Sequence, residues 1–213
     1  MSTTITTSES TQLAQLAERG DMNALGKILR QMVTSVGTLG DSEITTNIGA
    51  AATGITAAEY GDGRNHQSVL TLATTLPAIA GGADLAVGKL LYTFPAGAII
   101  VESAYMSVAI TQADGNITAD TPDGGLGTVI GSGVVATLDG TATFENIITG
   151  QTFDDCDGTA EVKTAIPTAA VPLVIESAAA HTVHFNVADG WAASGDATAA
   201  LTGTVILNWR FIA

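Results

Sequence analysis

The feature that most constrains the fold is a sustained alternation of apolar and polar residues near the end of the sequence. Between residues 201 and 211, one side of the chain carries large apolar side chains and the other side carries polar ones. The apolar set is Leu201, Val205, Leu207, Trp209 and Phe211, and the polar set is Thr202, Thr204, Asn208 and Arg210. A period of two over this length is typical of a β-strand with one face on a hydrophobic core. The sequence therefore predicts such a strand here.

Seven further segments have β character. They are residues 68–75, 87–94, 99–111, 126–138, 142–149, 162–175 and 182–188, the sixth of them broken at Pro167 and Pro172. Turn-forming groups such as Pro95-Ala96-Gly97 and Asp139-Gly140 lie between them. Eight short strands without an intervening helical pattern predict a mainly β fold, a jelly-roll-like β-sandwich over residues 67–213.

The N-terminal part differs from this body in pattern and in charge. Up to Arg30, three basic and three acidic residues balance, whereas the remainder has 18 acidic residues and four basic ones. Residues 1–8 are rich in Ser and Thr and are predicted to be disordered. Residues 9–37 have helical spacing and predict two short helices. Residues 38–66, rich in Gly, Ala and Thr with little periodicity, predict an extended arm or linker.

The predicted helical pair presents an apolar face that needs a partner, because helices this short are marginal on their own in water. The partner is the chain's own β domain, a copy of the same pair, or another protein, and the sequence leaves these alternatives open. The face consists of Leu13, Leu16, Leu25, Ile28, Leu29, Met32 and Val36. These residues are the candidate intermolecular contacts.

The charge of the chain limits its partners. Lys and Arg number 7 against 21 Asp and Glu, which gives a net charge of -14. A field of this sign repels phosphate backbones and anionic lipid headgroups, so we expect no direct nucleic-acid partner and no membrane partner. No apolar run approaches the roughly 18 residues of a membrane span. The first residues have no basic segment followed by an apolar one, so no secretory signal is predicted and folding in a cytoplasm is expected.

Metal binding has little support in the pattern. A lone cysteine, Cys156, cannot form an intramolecular disulfide or a paired-thiolate zinc site. His181 and His184 are three residues apart on a predicted strand and therefore point to opposite faces. The acidic loops around residues 154–157 and 120–123 contain hard oxygen ligands, and a weakly held calcium is the alternative there to a solvated turn. No other cofactor is expected.

No catalytic motif stands out. The glycines at positions 125, 127 and 131 resemble a dinucleotide fingerprint, but the third is one residue late and a strand-like segment follows it. The chain has no Gly-x-Ser-x-Gly nucleophile elbow, and no pair of carboxylates is singled out for glycoside hydrolysis. We therefore expect a protein that is not an enzyme.

Three strings in the β body carry a resemblance to a known family. They are LYTFPAGAIIV at residues 91–101, ADTPDGGLGTVI at 119–130 and VHFNVADGW at 183–191. Together they resemble virion structural proteins of tailed bacteriophages, the head decoration or cement type in particular. The resemblance implies a β-rich domain on the outside of a capsid, often a trimer or a dimer, with an extended arm that grips neighbouring capsid subunits.

The function expected from the resemblance is non-enzymatic capsid decoration. Its partners would be the major capsid protein and further copies of the chain, as a trimer or alternatively a dimer. Its location would be the capsid exterior, after assembly in the host cytoplasm. The candidate intermolecular contacts of the helical pair become candidate capsid or oligomer contacts under this hypothesis.

Three rival functions remain open. A tail or head-fibre component differs from decoration in copy number and symmetry. A carbohydrate-binding jelly roll that attaches to a host surface would need exposed aromatic side chains, and the chain has only two Trp, three Tyr and five Phe. A glycan hydrolase has the least support in the sequence.

We predict that deleting residues 1–40 weakens binding to purified capsid shells or changes the oligomeric state. The reason is that the apolar face of the helical pair needs a partner and that the segment differs in charge from the body. Co-sedimentation with the shells and light scattering measure the two properties. Unchanged binding together with an unchanged oligomeric state would contradict the arm hypothesis.

Overall fold

The computed structural model describes residues 43–79, 86–112, 117–120, 122–132, 138, 143–153, 161–165, 172–176, 181–188, 191–193 and 198–212. All of them belong to one compact unit, Glu43–Ala213. The predicted disordered N-terminus and the two predicted helices lie outside the described residues. So do the seven candidate contacts, Leu13, Leu16, Leu25, Ile28, Leu29, Met32 and Val36, which stay predictions.

Thirteen strands occur within the described residues, in this order along the chain. They are β1 (Ala50–Ala51), β2 (Ile55–Gly61), β3 (Asn65–Thr75), β4 (Val87–Thr93), β5 (Ile99–Gln112), β6 (Ile117–Asp120), β7 (Asp123–Gly127), β8 (Ile148–Thr152), β9 (Glu161–Ala165), β10 (Leu173–Ile175), β11 (Thr182–Ala188), β12 (Trp191–Ala193) and β13 (Ala199–Phe211). The strand predicted from the alternation in residues 201–211 is β13.

The strands form two main antiparallel sheets. One sheet, here called the short sheet, has the order β1-β4-β11-β7-β8. The other, here called the long sheet, has the order β10-β5-β13-β3-β2, with β9 also paired to β5. Strands β6 and β12 pair separately as a two-stranded ribbon.

The strand order is that of a jelly roll. Strands β9 and β10 pair with different parts of the same edge of β5, so they act as one strand with a break, as the two prolines predict. With β9 and β10 counted as one, the eight strands from β3 onward, leaving out the ribbon, lie in the orders 1-8-3-6 and 2-7-4-5. Two interlocked sheets of this order are the double Greek key of a jelly roll. The predicted mainly β sandwich is confirmed.

The core lies between the two sheets. On β13, Leu201, Val205, Leu207 and Trp209 are buried, which confirms the face assigned from the alternation. They pack with inward residues of the short sheet such as Phe185. Burial of each such large apolar side chain stabilises the fold by about 1.5 to 3 kcal/mol.

Aromatic rings concentrate at one end of this core. The Trp209 ring lies edge-to-face with Phe94 at 5.3 Å between centroids and with Phe211 at 5.4 Å. Tyr92 in turn lies edge-to-face with Phe94 at 5.3 Å. Because Tyr92 belongs to the short sheet and Trp209 to the long sheet, these rings connect the two sheets.

One glycine on β13 allows its neighbour to come close. Gly203 has a φ of 125°, a conformation that side-chain-bearing residues rarely adopt, and a Cβ there would lie 2.2 Å from the Ser107 carbonyl oxygen. A larger residue at position 203 would therefore push β13 away from β5.

Residues 50–66 differ from the predicted connector. They contain β1, β2 and the first residues of β3, and β2 pairs with β3 along its whole length. The sequence hides this strand because its inward positions include Ala57 and Glu59, which give little apolar alternation. Sheet pairing and a buried hydrogen-bond cluster, not local propensity, hold β2 in place.

The two predicted strands at 126–138 and 142–149 are also displaced. Strand β7 ends at Gly127, and β8 starts only at Ile148. The backbone N–H groups of Thr128 and Val129 donate to the Thr143 carbonyl oxygen, and the Asn146 side chain bonds to Thr128. These bonds lie in residues 128–129 and 143–146, where the apolar composition alone predicts strands.

We predict that Trp209→Ala lowers the free energy of unfolding by about 3 to 5 kcal/mol, because it removes the largest fully buried side chain of the core. Thr202→Ala is the matched control, since Thr202 is exposed on the opposite side of the same strand, and should cost less than about 0.5 kcal/mol. Denaturant unfolding measures both values. Equal losses of unfolding free energy for the two variants would mean that the core-facing side of β13 is wrongly assigned.

Candidate functional site

The first candidate site is a buried cluster of polar side chains centred on Glu59. The Trp209 indole N–H donates to Ser68 Oγ at 2.8 Å, and Ser68 Oγ donates to Glu59 Oε2 at 2.9 Å. From the short sheet, the Tyr92 hydroxyl donates to Glu59 Oε1, and it accepts from the Gly49 N–H at 2.8 Å. Both carboxylate oxygens therefore accept a hydroxyl hydrogen bond, one from each sheet.

The surroundings of Glu59 indicate a structural role, in which its carboxylate links the two sheets. Its side chain is buried, with a relative exposure of 4%. Burial raises the pKa of the Glu59 carboxyl above its ordinary value, and the hydrogen bonds from Tyr92 and Ser68 offset part of that rise. A raised carboxyl pKa is also a property of catalytic acids. Here the carboxyl is closed off between the sheets, so it joins Tyr92 of one sheet to Ser68 of the other.

His66 extends this cluster towards the end of the sandwich. Its ring stacks on Trp209 with centroids 4.1 Å apart and planes 10° apart. Burial lowers the pKa of His66. Neither ring nitrogen has a hydrogen-bond partner among the described residues. A neutral imidazole stacked on the indole is the form that this environment favours.

The second candidate is the outward face of the long sheet, opposite the core. We call the outward residues of β2, β3, β5 and β13 the neutral face. They are Thr56, Ala58 and Tyr60 on β2; Asn65, Gln67, Val69, Thr71, Ala73 and Thr75 on β3; Ile100, Ser103, Tyr105, Ser107 and Thr111 on β5; and Ala200, Thr202, Thr204, Ile206, Asn208 and Arg210 on β13. Ala109 of β5 lies on the same side but is buried.

An apolar row crosses the middle of the neutral face. The strand registers pair Ala58 with Val69, Val69 with Ile206, and Ile206 with Tyr105. All four side chains are half-buried in the free chain. Cross-strand neighbours of this kind lie close enough to form one continuous apolar strip.

Two rows of uncharged polar groups flank the apolar row. On one side, Gln67 Nε2 donates to Asn208 Oδ1 at 3.0 Å, and Asn208 Nδ2 donates to Ser103 Oγ at 2.8 Å.

On the other side, the registers align Thr56, Thr71, Thr204 and Ser107. Every polar group in these two rows is an amide or a hydroxyl, which both donates and accepts hydrogen bonds.

Charge is nearly absent from the neutral face. Its only ionised residue is Arg210, and the Arg210 Nε lies 2.6 Å from Oε1 of Glu102, which sits in a bulge of β5. This pair cancels its own charge at one end of the face. In a chain with 21 acidic residues and a net charge of -14, four strands whose outward residues include one ionised group are a distinct feature, and the exposed Glu43 lies beside Tyr60 at their edge. Such a face suits close contact with another macromolecule.

The positions weighed for metal binding are the two histidines and the two acidic loops. His184 is buried with Nε2 2.9 Å from Thr182 Oγ1, and Asp123 accepts a hydrogen bond from the Thr152 hydroxyl at 2.6 Å. Residues 154–157 lie outside the described part, so a calcium there stays a prediction. Within the described ranges, no cluster of three or more His, Cys, Asp or Glu side chains could hold a metal ion.

The glycines that resemble a dinucleotide fingerprint have a packing role. A Cβ at Gly125 would lie 2.8 Å from the Ile148 carbonyl oxygen, and one at Gly127 would lie 2.2 Å from the Phe144 carbonyl carbon. The Gly131 N–H donates to Asn186 Oδ1 at 2.6 Å. Gly125 and Gly127 therefore let backbones approach closely, whereas Gly131 lies against the Asn186 side chain.

Comparisons with known proteins add little. No protein-family model and no curated protein matches this chain. A solved structure with some similarity is an arabinose-bound α-L-arabinofuranosidase, at 11% identity and a TM-score of 0.34, covering 78% of this chain and 24% of that one. This chain therefore spans about a quarter of that enzyme's length. No helix in the described part of the chain combines the length and apolar character needed to cross a bilayer.

Sequence reasoning missed both candidate sites for identifiable reasons. Glu59 lies in the segment predicted to be a connector, and nothing in the local pattern pairs it with Tyr92. Recognising the neutral face requires the pairing register of four strands, and the alternation in residues 201–211 identifies only one of those strands. The signal that was available is the low charge of residues 65–75 and 103–111, since neither segment contains Asp, Glu, Lys or Arg.

We predict that Glu59→Gln makes the stability of the protein less dependent on pH. Because the folded-state pKa of Glu59 is raised, its contribution to stability is fully present below the ordinary pKa of 4.5 and is lost as pH rises through the folded value. The free energies of unfolding of the two proteins should therefore become equal in acid. At higher pH, the free energy of unfolding of the variant should exceed that of the wild type by about 1.4 kcal/mol for each unit by which the folded-state pKa of Glu59 is raised. Urea unfolding from pH 4 to pH 8 measures this difference.

The control for this experiment is Glu176→Gln, which removes an exposed carboxyl next to β10. Its unfolding curve should follow the wild type across the pH range. Titration of Asp62, His66 and His184 contributes equally to all three proteins and cancels in the difference. Parallel curves for wild type and Glu59→Gln would show that Glu59 titrates normally in the folded state.

Proposed function

We propose that the chain is a non-enzymatic virion structural protein that binds the outside of a phage capsid and stabilises or decorates it. The binding would use the N-terminal arm together with a homo-oligomeric β body. The partners would be the major capsid protein and further copies of the chain.

The observation that carries this proposal is the neutral face. It spans four strands and offers apolar groups and amide or hydroxyl groups in place of charges. A surface of this kind suits a passive assembly component, because it makes broad contact without chemistry and leaves the acidic remainder of the chain to keep it soluble. The resemblance of residues 91–101, 119–130 and 183–191 to head decoration proteins supports the same function.

The rival carbohydrate-binding function finds less support on this face. Sugar-binding platforms use aromatic rings that a ligand can contact together. The two tyrosines of the neutral face, Tyr60 and Tyr105, lie on β2 and β5, three strand spacings or about 14 Å apart. Between them lie side chains of β3 and β13 such as Val69 and Ile206.

We predict that the purified chain binds purified capsid shells of the virus that encodes it, in hundreds of copies that follow the symmetry of the shell. Electron microscopy of the mixture shows both the copy number and the surface that is occupied. Density only at a vertex or on a tail would favour the fibre hypothesis. Absence of density on the shell, combined with binding to a glycan array, would contradict decoration and favour the carbohydrate-binding hypothesis.

A further inference from the structure

We propose that the neutral face is the surface on which a second copy of this chain packs, face to face, about a two-fold axis. The proposal deepens the proposed function, since it assigns the surface of the homo-oligomeric body on which that function rests. The proposal also favours a dimer. The resemblance to decoration proteins allows a dimer, although a trimer was the first expectation.

Electrostatic repulsion limits where two copies can meet. Each chain carries a net charge of -14, with only seven basic residues to pair across an interface. Any acidic surface brought against its own copy therefore accumulates unpaired negative charge and pays the cost of desolvating it. The neutral face avoids this cost, because its one charge, Arg210, is already paired with Glu102.

The chemical groups of the face are complementary to themselves. A two-fold interface joins the same patch of both copies, so residue i meets residue j, j meets i, and groups on the axis face their own copy. Amides and hydroxyls both donate and accept, and these are the polar groups of the rows that contain Gln67, Asn208, Thr71 and Thr204. The apolar row through Ile206 would meet its own copy and exclude water.

The size of the face matches a stable interface. Four strands at a spacing of about 4.8 Å, over about ten residues at about 3.4 Å each, span about 650 Å². Two copies would therefore bury about 1,300 Å², which is within the range of about 1,200 to 2,000 Å² for specific interfaces. The register of β13 is continuous with β3 from Ala200 to Arg210 and with β5 from Ala199 to Asn208, so over that length two sheets can pack as layers.

Three variants of the full-length chain test the proposal by light scattering and sedimentation over a range of concentrations. Ile206→Asp places an acid in the centre of the apolar row. Thr71→Lys places a base on an exposed position of the face and lowers the net negative charge. The matched control is Ile130→Asp, the same substitution at an isoleucine that is 45% exposed next to the short sheet.

The wild type should be a dimer whose affinity rises with salt, because screening weakens the repulsion between acidic copies. Ile206→Asp and Thr71→Lys should each raise the dissociation constant at least tenfold, although they change the net charge in opposite directions. Ile130→Asp should leave it within about threefold. Circular dichroism checks the fold, and Thr71→Lys keeps the test decisive if Ile206→Asp fails to fold, since Thr71 is exposed in the free chain.

Several outcomes would overturn the proposal. They are a monomeric wild type, a trimer, an oligomer that dissociates as salt rises, or an oligomer that neither variant of the face weakens. Variants of the face that keep the dimer but lose binding to capsid shells would assign the face to the capsid protein instead. A dimer that behaves as predicted but does not bind shells would contradict the proposed function and leave this inference standing.

Discussion

Strand β13 pairs antiparallel with β3 on one side and with β5 on the other along nearly its whole length. Because side chains alternate along a strand, this shared register determines both surfaces of the long sheet. It aligns Leu207 and Trp209 with the core and Ile206 and Asn208 with the outside. A slip of one residue would bury the polar row and expose the tryptophan, so the core and the neutral face depend on the same pairing.

The two surfaces of the long sheet meet different physical requirements. The inward side gains its stability from apolar burial and from the hydroxyl bonds that Tyr92 and Ser68 donate to Glu59, which join the sheets at one end. In the proposed dimer, the outward side has to come into contact with a second copy of an acidic chain. Amides, hydroxyls and a few apolar groups meet that requirement, since they can be buried against their own kind without leaving a charge unpaired. Placing most charge elsewhere leaves this one sheet available for contact.

Much of the fold could be predicted because alternation is a local signal. Residues 201–211 indicated their own core face, and Pro167 and Pro172 indicated the break between β9 and β10. Strand β2 could not be found in this way, because its inward positions include a carboxylate whose partner in the other sheet, Tyr92, is 33 residues away. The neutral face was harder still to predict, because a surface formed by four strands can be identified only when their pairing register is known. The N-terminal contacts, Leu13 to Val36, stay predictions.

In the proposed dimer, one side of β13 faces the core while the other side forms the interface between copies. Hydroxyl-radical footprinting with mass spectrometry, repeated from low to high protein concentration, tests both sides of the strand together. Trp209 should stay unmodified throughout, whereas Tyr105 should be oxidised in dilute protein and protected as the concentration rises. Equal oxidation of Tyr105 at every concentration, or oxidation of Trp209 as readily as Tyr105, would contradict this arrangement.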